Sequence, residues 1–159
     1  MSYLIFRDQQ SFMRYFGQAP SPETMRLYMK LINEESRELL EAWHAVNDAD
    51  SKIEHVAEMA NEAIDLIYVT VGLIHAMGLD PQPLWDEIQK ANLAKITHRC
   101  PLCAEGEESE AEFCAKCHGS GVVYEARLRD DGKVLKPEGW QKADLLPIVR
   151  MMLEARGMA

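Results

Sequence analysis

Residues 56–77, VAEMANEAIDLIYVTVGLIHAM, are the most apolar stretch of the chain, and they carry carboxylates. The run reads as a helix over about 52–77, with Gly78 as its C-terminal stop. A helix this apolar belongs in a core, where an ionised side chain is costly unless paired or metal-bound. Yet Glu58, Glu62 and Asp65 recur at spacings of four and three, on one helix face. The fold must therefore supply both an apolar surround and something that offsets these acids.

A second acidic set lies upstream, in NEESRELLEA at 33–42. Glu34 and Glu38 are four apart and Glu35 and Glu38 three apart, so each pair shares a face, and only Arg37 interrupts the acids. This helix starts at Ser21, an N-cap followed by Pro22, and runs to about 46. Met25, Tyr28, Ile32, Leu39 and Trp43 roughly keep the spacing of a buried stripe. The stripe skips one beat, and Glu35 falls there. If the two acidic helices pack side by side, four or five carboxylates converge. Their repulsion raises their pKa values and destabilises the fold unless a cation sits among them. Oxygen ligands without histidine or thiolate suit Mg²⁺ or Mn²⁺. Glu41 and Glu58 read as surface.

The remaining helices are a short one over about 8–17, one beginning at Pro81 through PLWDEIQKANLAKI, and one after Asp144. Only GVVYEARL at 121–128 reads as strand. The expected fold is all-α, a helical bundle of about five helices. At 159 residues and 47% apolar, the chain is long enough for one domain with a real core. No apolar run is long enough for a membrane span, and MSYLIFRDQQ lacks the features of a signal peptide, so the expected location is cytoplasmic. The net charge of −9 weighs against a nucleic-acid partner.

Composition changes between His98 and about Glu125, which hold all four cysteines and Gly106, Gly119 and Gly121. Such a segment builds no helix, and it is expected to be an insert at 97–125 within a helical domain of 1–96 and 126–159. CPLC at 100–103 and CAKC at 114–117 can place Cys100, Cys103, Cys114 and Cys117 at the corners of a tetrahedron, the arrangement of structural Zn²⁺. Disulfides do not suit the expected compartment. His98 and His118 read as bystanders, and His44, His55 and His75 as ordinary helix residues. The insert, with six acids against four bases between 97 and 129, is a poor grip for nucleic acid.

EESRE at 34–38, followed after 23 residues by EAID at 62–65, resembles the EExxE…ExxD pattern of the all-α nucleoside triphosphate pyrophosphatases. These are the MazG-like and phosphoribosyl-ATP pyrophosphatase enzymes. FMRYFGQ at 12–18, ANLAKI at 91–96 and DGKVLKPEGWQKADL at 131–145 resemble further segments of that family. The resemblance implies cleavage of a (deoxy)nucleoside triphosphate to the monophosphate and pyrophosphate. It implies Mg²⁺ held by Glu35, Glu38, Glu62 and Asp65, with Glu34 binding a further ion or orienting water. Asn92, Lys95, Lys133 and Lys136 would meet the phosphates, and Trp140 would serve as a core anchor. The bundle would be completed by oligomerisation, as a homodimer or homotetramer. Phosphoribosyl-ATP is the alternative substrate. A non-enzymatic, zinc-stabilised interaction module is the alternative of another class. CAKCHGSG also resembles the CxxCxGxG repeat of DnaJ-type zinc modules, but one copy carries no chaperone function over.

Overall fold

In the computed structural model, which describes residues 4–48, 50, 52–104 and 114–157, the chain is mostly helical. The elements in order are α1 (Leu4–Tyr15), α2 (Pro22–Val46), α3 (Ile53–Ala76), α4 (Pro81–Leu93), β1 (Thr97–Arg99), α5 (Pro101–Ala104), β2 (Val122–Tyr124) and α6 (Leu146–Glu154). The chain divides into two compact units, Met1–Leu84 with Leu146–Ala159, and Trp85–Leu145. Among the described residues no single helix is long and apolar enough to cross a membrane.

The first unit is built on α2 against α3, with α1 also packed on α3. Ser21 caps α2, its Oγ accepting from the Thr24 backbone at 3.0 Å, with Pro22 in the first turn. Gly78, at φ 78°, ends the turn after α3 in a conformation that glycine adopts without strain. Asp80 opens α4 by accepting from the Gln82 backbone at 2.9 Å. The core holds Met13, Tyr28, Val69 and Ala76, with Ile32, Leu66 and Leu73 packed on it. Along α2 the buried and half-buried residues Tyr28, Ile32, Glu35, Leu39 and Ala42 keep a strict four-three alternation; along α3 the buried residues Glu62, Val69, Gly72 and Ala76, with the exposed Asp65 at the rim, keep three-four. This is the seam of two antiparallel helices packed like a coiled coil. Gly72 occupies a seam position because a Cβ there would lie 2.0 Å from Cε1 of Tyr28. Tyr28 in turn receives a hydrogen bond from Gln9 and gives one to Gln18.

Several expectations are corrected. Trp43 is 51% exposed, and Ala42 takes the inward place. The seam alternation after Leu39 calls for a step of three, and Trp43 sits about 100° further round the helix. α1 begins at Leu4 rather than near residue 8, and α4 stops at Leu93 rather than 96, where Ala94–Ile96 form a turn. The cysteine segment does contain a helix, the single turn α5, and a second strand, β1.

The second unit contains the expected insert, 97–125, and also takes in 85–96 and 126–145. β1 and β2 pair antiparallel, with His98 opposite Val123. A bridge joins Leu128 to Val134 further along. Cys100, Cys117 and Val123 form a small buried cluster, with Cys103 and Cys114 against it. Gly106 and the rest of 105–113 lie outside the described residues, as do Ala49 and Ser51 of the NDADS connection.

Candidate functional site

The seam positions that should be apolar, and are not, come together. Glu35 of α2 and Glu62 and Asp65 of α3 each offer a carboxylate oxygen, all within 4.8 Å of one another. Glu62 is buried, Glu35 half-buried and Asp65 exposed at the rim. Octahedral Mg²⁺ with bonds of about 2.1 Å holds its oxygens roughly 3 to 4.2 Å apart, and a set gathered within 4.8 Å is near that spacing. The electrostatics point the same way. Burial raises the Glu35 carboxyl above its ordinary 4.5, and the charges of Glu38, Asp65, Glu62 and Glu34 push it further in that direction.

Among the described residues, no lysine or arginine forms an ion pair with these three acids. The neighbouring bases are committed elsewhere. Lys30 lies 3.6 Å from Glu34, and Arg37 reaches Glu38 at 2.9 Å and Glu41 at 2.8 Å. Glu34 and Glu38 thus stand beside the three-acid group rather than in it, although the charge of Glu38 is felt at Glu35. Glu41 and Glu58 are exposed. One neutral neighbour escaped the sequence reading. The Asn61 amide donates to Asp65 at 3.3 Å and to Glu62 at 3.5 Å. Its four-residue spacing from Asp65 was the available signal.

The second unit holds the other candidates. Lys95 donates to the Asn92 side chain at 2.7 Å. Its ammonium also lies 5.2 Å from the centre of the Trp140 ring, and that of Lys136 lies 4.3 Å from it. The indole N–H of Trp140 donates to the Ala91 carbonyl at 2.7 Å, so Trp140 is an anchor for its loop as well as a seat for two cations. Lys133 lies in the turn between Arg129 and Leu135, where its backbone is held by Asp131 and Arg129. Lys95 and Lys136 are therefore brought to one ring, Asn92 is tied to Lys95, and Lys133 sits on a separate turn.

In the same unit, Cys100, Cys103, Cys114 and Cys117 present their sulfurs within 4.8 Å of one another. Sγ of Cys100 lies 3.7 Å from that of Cys114, and Sγ of Cys103 lies 3.6 Å from that of Cys117. Tetrahedral Zn²⁺ with bonds of about 2.3 Å requires sulfurs roughly 3.8 Å apart, and a disulfide requires about 2.05 Å. The spacing matches the zinc corner and excludes a bond. Backbone N–H groups of Cys117 and Lys116 pull the Cys114 thiol down to about 6, while hydrogen bonds from the sulfurs of Cys114 and Cys117 push Cys103 up to about 12. Turn geometry delivers the ligands: His118, Gly119 and Gly121 all have positive φ, and the Cys100 N–H donates to the Gly121 carbonyl at 2.9 Å. His98 hydrogen-bonds the Glu125 carbonyl and is not in the thiol group.

A family profile described as phosphoribosyl-ATP pyrophosphohydrolase matches residues 12–92, which is 81 of the 159 residues. The match spans α2 and α3 entire, and with them all five acids of the EESRE and EAID motifs. No curated protein matches the chain.

Proposed function

The chain belongs to the phosphoribosyl-ATP pyrophosphohydrolase family, a nucleotide pyrophosphohydrolase family, and we propose that it cleaves (deoxy)nucleoside triphosphates between the α and β phosphates, releasing the monophosphate and pyrophosphate. The observation that carries the reading is the convergence of Glu35, Glu62 and Asp65 on one point of the α2–α3 seam. These three, joined by Glu38 once it leaves Arg37, would hold Mg²⁺ or Mn²⁺. The bound ion supplies Lewis-acid polarisation of phosphate oxygens and a more acidic water. Glu34 is assigned to orient the attacking water. Asn61 keeps the Glu62 and Asp65 carboxylates aimed. Asn92, Lys95, Lys133 and Lys136 are assigned to the phosphates. Two ammonium groups on one indole ring form a cationic pair, which suits a polyanion.

The thiols would hold one structural Zn²⁺, as their spacing supports, and their lack of disulfides suits a reducing cytoplasm. The proposed assembly is a homodimer or homotetramer. Leu40 and Trp43 on α2 and Ile64 and Ile67 on α3 are large apolar side chains left exposed, which supports it. A second substrate reading, phosphoribosyl-ATP, is favoured by the description of the family profile. Both substrates present the same anhydride bond. The test is pyrophosphate release from ribo- and deoxynucleoside triphosphates and from phosphoribosyl-ATP, with Mg²⁺ or Mn²⁺ and with EDTA. Metal-dependent release from one of them names the substrate. Silence from all of them sinks the enzymatic reading.

A further inference from the structure

Away from the carboxylates, the first unit contains a cavity of about 150 Å³ between α1, the C-terminal end of α3 and the turn after α6. Gln10, Arg14, Gln18, His75 and Arg156 supply its polar lining, over Met13 and Leu79. His75 is ten residues beyond Asp65 on α3, about 15 Å along the helix axis, so this is a separate place from the acid cluster.

The lining is rich in donors and short of acceptors. The side-chain oxygen of Gln10 already accepts from Arg14 at 2.9 Å, and that of Gln18 from Tyr28 at 2.8 Å. What these amides have left to offer is their N–H groups. His75 is buried, its Nε2–H donating to the Phe6 carbonyl at 3.0 Å, which leaves Nδ1 as the one acceptor of the ring. Two guanidinium groups line the space, and no carboxylate does. Among the described residues, neither Arg14 nor Arg156 forms an ion pair. Both are exposed residues, and among the described residues four of the nine arginines, Arg7, Arg26, Arg37 and Arg129, do find a carboxylate. Converging donors without a counter-charge are complementary to an oxyanion. The volume fits one or two phosphoryl groups and is smaller than the several hundred Å³ that a whole nucleotide needs.

We propose that this cavity binds a phosphate-class anion, inorganic pyrophosphate or the terminal phosphates of a nucleotide, at a site distinct from the carboxylate cluster. The proposal does not rest on the hydrolase reading. Its test is calorimetric titration of the full chain in EDTA, where the acid cluster carries only negative charge and repels anions. Saturable binding of pyrophosphate at one site per chain is expected. Arg14→Glu and the milder Arg156→Gln should each weaken it about tenfold or more, while Glu62→Gln leaves it unchanged. Pyrophosphate binding tighter than a nucleoside diphosphate identifies the free anion as ligand, and the reverse order identifies nucleotide phosphates; either supports the site. No saturable binding, an equal response to sodium chloride at matched ionic strength, or wild-type affinity in both arginine variants overturns it. None of these readouts involves turnover, so failure here and failure of the hydrolase reading are told apart.

Discussion

Glu35, Glu62 and Asp65 meet across helices of 25 and 24 residues, whereas Cys100, Cys103, Cys114 and Cys117 meet across a one-turn helix and two strands of three residues. The acids stand on a scaffold with its own apolar core, in which Met13, Tyr28, Val69 and Ala76 are buried independently of any cation. The thiols have no such support, because two of the three buried residues in their cluster are themselves cysteines. Metal-ligand geometry is therefore reached in two ways. In the first unit the fold holds carboxylates that repel one another. In the second, the thiols are much of what is buried at the centre of the cluster.

The largest expected effect follows from that contrast. Stripping Zn²⁺ with a strong chelator should remove amide-exchange protection from β1 and β2 while α2 and α3 stay protected, since binding energy at such sites, about 10 kcal/mol or more, is folding energy. Protein purified under reducing conditions should carry about one Zn²⁺ per chain. Unchanged protection of β1 and β2 after complete metal removal would break the comparison. The next effect is catalytic. Glu62→Gln and Asp65→Asn should each lower pyrophosphate release by about a thousandfold, equivalent to several kcal/mol, with circular dichroism unchanged. Glu38→Gln belongs in the same series. A normal rate there, with loss in the other two, would confine the metal site to the three acids already gathered within 4.8 Å.

How much of this could be read from the residues differs between the two regions for the same reason. Helix periodicity is a long-range rule, so Ser21, Pro22 and Gly78 mark ends in the sequence, and the skipped beat at Glu35 marks the acid face. At Trp43 a loose three-four spacing misleads, because only strict four-three alternation selects Ala42. Cysteine spacing gave the thiol cluster, because two CxxC turns leave few ways to arrange four sulfurs. β1 and α5 were not legible, since elements of three and four residues carry no periodicity and owe their form to the cluster they enclose. The gathering of Lys95 and Lys136 on Trp140 was also hidden, because Lys95 lies 45 positions from the ring, although Lys136 is only four away.

If the acid scaffold is independently rigid, it should resist a change at the seam that has nothing to do with metal. Gly72→Ala tests this. Alanine favours the helix by about 1 kcal/mol. Its Cβ, however, would meet Tyr28 Cε1 at 2.0 Å and Gln9 Nε2 at 2.4 Å. Tyr28 is buried and bonded at its hydroxyl by both Gln9 and Gln18, so it has no free direction in which to swing. Net destabilisation of about 1–3 kcal/mol is expected by denaturant titration. A stabilised variant would show the seam to be softer than its contacts indicate.

The smallest effect sharpens the comparison most directly, because it reads the repulsion itself. The Glu35 carboxyl has a raised pKa in the folded chain, from burial first and the neighbouring carboxylates second. Between its ordinary 4.5 and that raised value, the folded state keeps a proton that the unfolded state has released. Stability from this group is thus full below 4.5 and lost as pH rises through the folded value. In EDTA at neutral pH, Glu35→Gln should raise the Tm slightly, and the difference from wild type should shrink as the pH falls towards 4.5. With Mg²⁺ present the sign should reverse, since the wild-type carboxylate then gains a partner and the glutamine does not. A thiol ligand should behave in the opposite sense without its metal. Replacing Cys100 by serine should not stabilise the zinc-free chain, because Cys100 is fully buried there and its lost packing outweighs the small repulsion it exerts on Cys103. An Glu35→Gln variant that is destabilised in EDTA would mean that the acid cluster, like the thiols, holds its fold together rather than straining it.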